Sequence, residues 1–173
     1  MNSSTIIAGI EVPSSDPLFL AIVFGVHIPL GLLCVVSGAL AMLLPKGRGR
    51  HSSAGTIYFW GQLALFVSAT VLAIMRWAEN YHLFALGLLC FTAAWFGRAM
   101  LRHRWSDWVR LHIAGMGSSY VLMLIAFYVD NGKQLPLWRD LPHFMYWLLP
   151  LAIGLPLILY AMLRHPLAQR WEH

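Results

Sequence analysis

The stretch "LFLAIVFGVHIPLGLLCVVSGALAMLL", residues 18–44, decides the fold, because it holds no Asp, Glu, Lys or Arg. A helix needs about 20 mostly apolar residues to cross the hydrocarbon core of a bilayer, and this one exceeds that length. Four further stretches qualify, residues 57–75, 82–101, 109–129 and 144–163. Together the five cover most of the 173 residues and leave no room for a separate soluble domain of about 50 residues. The composition agrees: 11% of the chain is charged, against about 25% in an average soluble domain. The expected fold is all-α, an integral membrane bundle of five transmembrane helices forming one domain over residues 1–173.

The net charge of +5 raises the question of nucleic acid, but its distribution points to a membrane instead. Nine of the twelve Lys and Arg fall in "PKGRGRH", "GRAMLRHRWSDWVR" and "LRHPLAQRWEH", after the first span, between the third and fourth, and at the end. Only Arg76, Lys133 and Arg139 fall on the other side, together with Glu11, Asp16, Glu79, Asp130 and Asp140. The positive-inside rule then places the N-terminus outside and the C-terminus in the cytoplasm. The expected partners are the lipid bilayer, other membrane subunits or a second copy of the chain, and no nucleic acid. The first seventeen residues carry no Lys or Arg. A cleaved signal starts with a basic region, so this segment reads as a short exterior tail.

Tryptophans sit where an interfacial belt would lie: Trp77, Trp138 and Trp147 near the outer boundary, Trp60, Trp105, Trp108 and Trp171 near the inner one. Pro150, Gly154 and Pro156 interrupt the last span and predict a kink. Gly115 with Ser119, and Gly31 with Cys34 and Gly38, form small-residue faces that allow close helix approach in lipid. They predict tight packing among the first, second and fourth helices. Cys34 and Cys90 lie inside spans without CxxC spacing and read as small apolar side chains.

Ionisable residues within a membrane are costly and mark functional sites by default. His27 stands in the outer half of the first span, before Pro29. It is either a ligand or relay group, or a neutral ring bonded to a carbonyl freed by the proline. His51, Gly55, Tyr58 and Gln62 share one helix face. His112, Met116, Ser119 and Met123 share another. Imidazole with thioether suits copper(I) or haem iron, although a methionine stripe at helical spacing also describes plain packing. His51 and His112 open their spans on the same side, whereas His27 differs from His112 in depth by more than about 15 Å, too far to share one ion. The expected inner group is therefore His51 with His112, helped by Tyr58 or Met116. The expected outer group is His27 with His82 or His143. His103 and His165 lie in basic loops where lipid phosphate is the natural contact. This two-level layout is compatible with two haems stacked across a bundle. CxxCH, HExxH, Walker and GxSxG motifs are absent, and no enzymatic activity can be read from the residues.

The order of "HIPLGLLCVVSGALAML", "RGRHSSAGTIYFWG" and "RLHIAGMGSSY" resembles an uncharacterised bacterial family of multi-pass membrane proteins, the domain-of-unknown-function family 2306. The likeness covers about residues 25–130. It falls on His27, on His51, Gly55 and Tyr58, and on His112, Met116, Ser119 and Tyr120. Ser52 stands where a basic residue would follow the loop histidine. The resemblance implies a bacterial inner-membrane protein in which His27, His51 and His112 form a set. The functional expectation is a protein that binds haem b or a transition metal such as copper or zinc. The metal ligands would be His51, His112 and Met116, with His27 second and Tyr58 and Tyr120 beside them, in a redox or electron-transfer component. The alternatives are a non-enzymatic assembly subunit, in which the histidines are structural, and a small-molecule or lipid transporter.

Overall fold

The computed structural model describes residues 5–7, 10–12, 16–103 and 107–164. Trp105, His165, Trp171 and the basic cluster beyond Arg164 lie outside the described residues. The segment read as a tail contains a small hairpin. β1 (Thr5–Ile7) pairs antiparallel with β2 (Ile10–Val12), with Ile6 opposite Glu11. Five helices follow that are long and apolar enough to cross a membrane: α1 (Pro17–Leu43), α2 (Arg50–Met75), α3 (Trp77–His103), α4 (Trp108–Asn131) and α5 (Met145–Arg164). The five expected spans are therefore five helices. Several run further than the apolar stretches, since α2 begins at Arg50 and α3 at Trp77. The helical ladder continues past the apolar residues wherever no breaker stops it.

Local chemistry sets the ends. The Asp16 carboxylate accepts the Leu18 N–H at 2.9 Å, and Pro17 occupies a first-turn position where its missing N–H costs nothing. Pro45 forces Leu44 into an extended conformation, ψ 150°, and α1 ends there. Gly49, with φ 105°, turns the chain into α2, and Asp107, left-handed at φ 58°, turns it into α4. Arg76 breaks α2 from α3 and pairs its guanidinium with Glu79. Pro150 and Pro156 lie inside α5 without interrupting it.

The chain divides into two compact units, residues 1–85 with 133–139, and residues 86–132 with 140–173. In the first unit α1 and α2 run antiparallel. Phe19 packs on Leu72 at one end, with Leu20, Ile22, Val23 and Met75 around them. Midway, the fully buried Cys34 lies over Gly61, where a Cβ would come within 2.9 Å of its sulfur. Ser37 is also buried and returns its hydroxyl to the Leu33 carbonyl at 2.6 Å. Gly31, expected on this packing face, has open space where a Cβ would stand, so the close contact belongs to Cys34 and Gly61. A π-helical turn at Val23–His27 precedes Pro29, and Ile28 N–H reaches back to the Val23 carbonyl.

In the second unit α4 packs on α3 and on α5. Gly97 and Gly115 bring two backbones together; a Cβ on Gly115 would stand 2.6 Å from the Gly97 Cα. Cys90 donates its thiol to the Ser119 carbonyl at 3.0 Å, and both residues are buried. Against α5, Gly117 meets Ile158, Gly154 meets Val121, and Gly132 takes the buried Tyr146 ring. The face of Gly115 and Ser119 is thus a packing face, as expected. Within its unit Gly115 and Ser119 meet α3, whereas α5 meets α4 at Gly117 and Val121.

Candidate functional site

The three candidate histidines share one arrangement. His27, on the π turn of α1, places Nδ1 3.0 Å from Ser68 Oγ on α2. His51, in the first turn of α2, places Nδ1 2.7 Å from the Ala41 carbonyl of α1. His112, one turn into α4, places Nδ1 2.8 Å from the Gly97 carbonyl of α3. Each imidazole ties its helix to a neighbour.

Donor accounting fixes the tautomer. A carbonyl only accepts, so Nδ1 of His51 and of His112 carries the proton. Ser68 spends its one hydroxyl proton on the Leu65 carbonyl at 2.9 Å. Its oxygen therefore accepts from His27, and Nδ1 is again the donor. In the neutral ring this puts the lone pair on Nε2 at all three positions.

Each carbonyl and hydroxyl is reachable for its own reason. Ala41 stands four residues before Pro45, which has no N–H to complete the helical bond, so its carbonyl lacks the usual partner. His51 and the Lys46 ammonium, at 3.0 Å, both fill that place, and Lys46 also reaches the Met42 carbonyl. Desolvation against the helix end pushes the Lys46 ammonium below the ordinary lysine value. Gly97 has no side chain to shield its carbonyl, and Gly115 opposite it lets α4 approach. Ser68 comes level with His27 through the antiparallel register of α1 and α2. The bland reading of His27, a ring bonded to a carbonyl freed by Pro29, gives way to this hydroxyl.

The remaining candidates are spread out. His27 and Ala41, the partner of His51, are fourteen residues apart on α1, about 21 Å at 1.5 Å per residue. His27 and His51 therefore mark opposite ends of one helix pair. Tyr58 is buried two turns beyond His51 on α2, and Tyr120 is half-buried two turns beyond His112 on α4. Met116 packs over Gly97, where its Cγ would lie 3.0 Å from an added Cβ. That contact is the packing role open to a methionine stripe. His82 is half-buried and stacks edge-on with Tyr81, whereas His143 is exposed beside Tyr146. Among the described residues no three His, Cys, Asp or Glu side chains gather closely enough to hold a metal ion.

Sequence reading missed every partner of these histidines. The Pro45 signal for Ala41 was available; Ser68 and Gly97 needed the helix register. No family model, curated protein or solved structure matches the chain.

Proposed function

We propose that the protein is a multi-pass membrane protein of a bacterial inner membrane that binds haem through Nε2 of its helix-clasping histidines. His51 and His112, each taken within its own unit, are the leading candidate ligands, and His27 is second. The resemblance of its histidine motifs to an uncharacterised bacterial multi-pass family supports the same grouping. The observation that carries the reading is the common tautomer. Histidines that ligate metals almost always donate the other ring N–H to a carbonyl or similar acceptor, which orients the ring and raises its basicity. His27, His51 and His112 all do so from Nδ1. Haem fits this donor set better than zinc, because a structural zinc ion needs four donors, whereas haem would ask no more than two imidazoles of the chain. A bound haem would supply one-electron transfer; the chain's own part is to hold and orient the imidazoles.

A second reading is a non-enzymatic assembly subunit in which the same bonds only join helices. The His51 bond favours it, because it fills a place vacated at Ala41 by Pro45. One substitution separates the two. Asparagine keeps a donor near the Nδ1 position and removes Nε2. A reduced-minus-oxidised absorption spectrum of the protein purified from native lipid should show haem bands. His112→Asn should lose them while keeping the thermal stability of the parent. A colourless, haem-free parent protein overturns the proposal and leaves the assembly reading.

A further inference from the structure

We propose that the turn at residues 135–139, which follows α4, is a lipid anchor that seats Leu137 at the boundary between headgroups and acyl chains. Leu137 is 88% exposed, more than any other large hydrophobic side chain among the described residues. It lies between helical spans that end at Gln134 and resume at Met145. Its depth follows from α4. Arg110 is the first cation of that helix. About 20 residues from there, at 1.5 Å each, cover the roughly 30 Å of the hydrocarbon core, and they end near Asp130. The short helical turn Gly132–Gln134 then stands among headgroups, and Leu137 comes three residues later. At no more than about 3.6 Å per residue, the chain carries it at most about 11 Å from that turn.

The backbone suits that depth. Pro136 has no N–H, and the N–H groups of Trp138 and Arg139 both turn back to the Leu135 carbonyl, at 3.0 and 2.9 Å. Of the four residues after Leu135, three therefore present no N–H to their surroundings, which lowers the cost of leaving water. Lys133 is exposed just before the turn. A lysine at this level extends its ammonium to lipid phosphate while its stem lies along apolar chains. The half-buried Trp138 is of the residue type that collects at this boundary. The occupant is lipid rather than a second copy of the chain. One exposed leucine between the exposed Lys133 and Arg139 offers far less than the roughly 800 Å² per partner of a stable protein interface. Lipid, in contrast, already surrounds the apolar helix on which the turn is mounted. The proposal involves no histidine and stands whether or not haem is bound.

The test is a nitroxide spin label on Leu137→Cys in the full chain, reconstituted in phosphatidylcholine vesicles, with Lys133→Cys as the reference. Both positions are exposed, so neither substitution removes a packed side chain. Cys34 and Cys90 are buried, and the unsubstituted chain taken through the same labelling measures their background. The label at 137 should be relaxed more by oxygen, which concentrates among acyl chains, than by a water-soluble nickel chelate. Its depth should be about 5–10 Å inside the headgroup boundary, as for other interfacial segments. The label at 133 should show the reverse preference. Equal access of the chelate to both labels overturns the proposal, because the turn then stands in water. A label at 137 that is immobile and shielded from both reagents also overturns it. If dilution with unlabelled chain then frees that label, the cover is a second copy of the protein.

Discussion

At the residue scale, one carbonyl explains two side chains. Pro45 leaves the Ala41 oxygen without its helical N–H, and His51 and Lys46 converge on it. If that vacancy is what makes His51 valuable to stability, the two positions must be coupled. His51→Ala should cost about 1 kcal/mol in the parent, the usual net worth of a hydrogen bond. In a Pro45→Ala background the chain regains an N–H for Ala41, and the same substitution should cost measurably less. A double-mutant cycle followed by thermal or denaturant unfolding in detergent reads the coupling. Additive costs would show that His51 is held by something other than the proline's vacancy. The depth of each histidine was legible from its place in an apolar stretch. Its partner was not, because a backbone carbonyl has no letter in the sequence. Only where a proline removes an N–H four residues on, as at Ala41, does the sequence announce a carbonyl in need.

At the element scale, glycine has two different uses in these helices, and the sequence does not separate them. Gly115 and Gly97 sit where two backbones meet; a Cβ on either would stand well under 3 Å from main-chain atoms of the other helix. Gly55 and Gly31, equally glycine and equally within apolar helices, have nothing within 4 Å of an added Cβ. Gly115→Leu should therefore destabilise the second unit by about 3 kcal/mol or more, since backbone has no easy way to give. Gly55→Ala should be neutral or stabilising by about 0.4–1 kcal/mol through loss of chain entropy in the unfolded state. Unfolding of the two variants in one detergent measures both, and a tolerated Gly115→Leu would mean that α3 and α4 do not approach this closely. The existence and order of all five helices were legible because hydrophobic length is a strong signal. Which glycines carry a contact was not, because four-residue spacing marks a face without naming the helix that covers it. The face of Gly115 and Ser119 was read correctly as a packing face, and its partner within the unit, α3, came from the fold.

At the scale of the whole molecule, the charge asymmetry acquires a physical setting. Only 11% of the most apolar window of α1, and the same share in α5, is buried within the protein, against 39% in α2. Leu32, Val36, Leu43, Ile153, Leu157 and Leu163 are all more than half exposed. Such surfaces require lipid or other apolar helices around them. Helices that cross a bilayer in turn present alternate ends to each side. One set of ends carries Lys46, Arg48, Arg50, Arg98, Arg102, Arg110 and Arg164; the other carries Arg76, Lys133 and Arg139 among five acids. Cationic residues in short loops are retained on the cytoplasmic side during insertion, which supports an N-terminus outside and a C-terminus inside. A reporter that is active only in the cytoplasm, fused after His173, should be active, and one that requires the periplasm should be silent. The same pair inserted at Arg76, the one residue between α2 and α3, should give the reverse pattern. Replacing Lys46, Arg48 and Arg50 by Gln should weaken the first pattern before the second, because that loop lies nearest the helix inserted first. A C-terminal fusion active only in the periplasm would invert the orientation of every span.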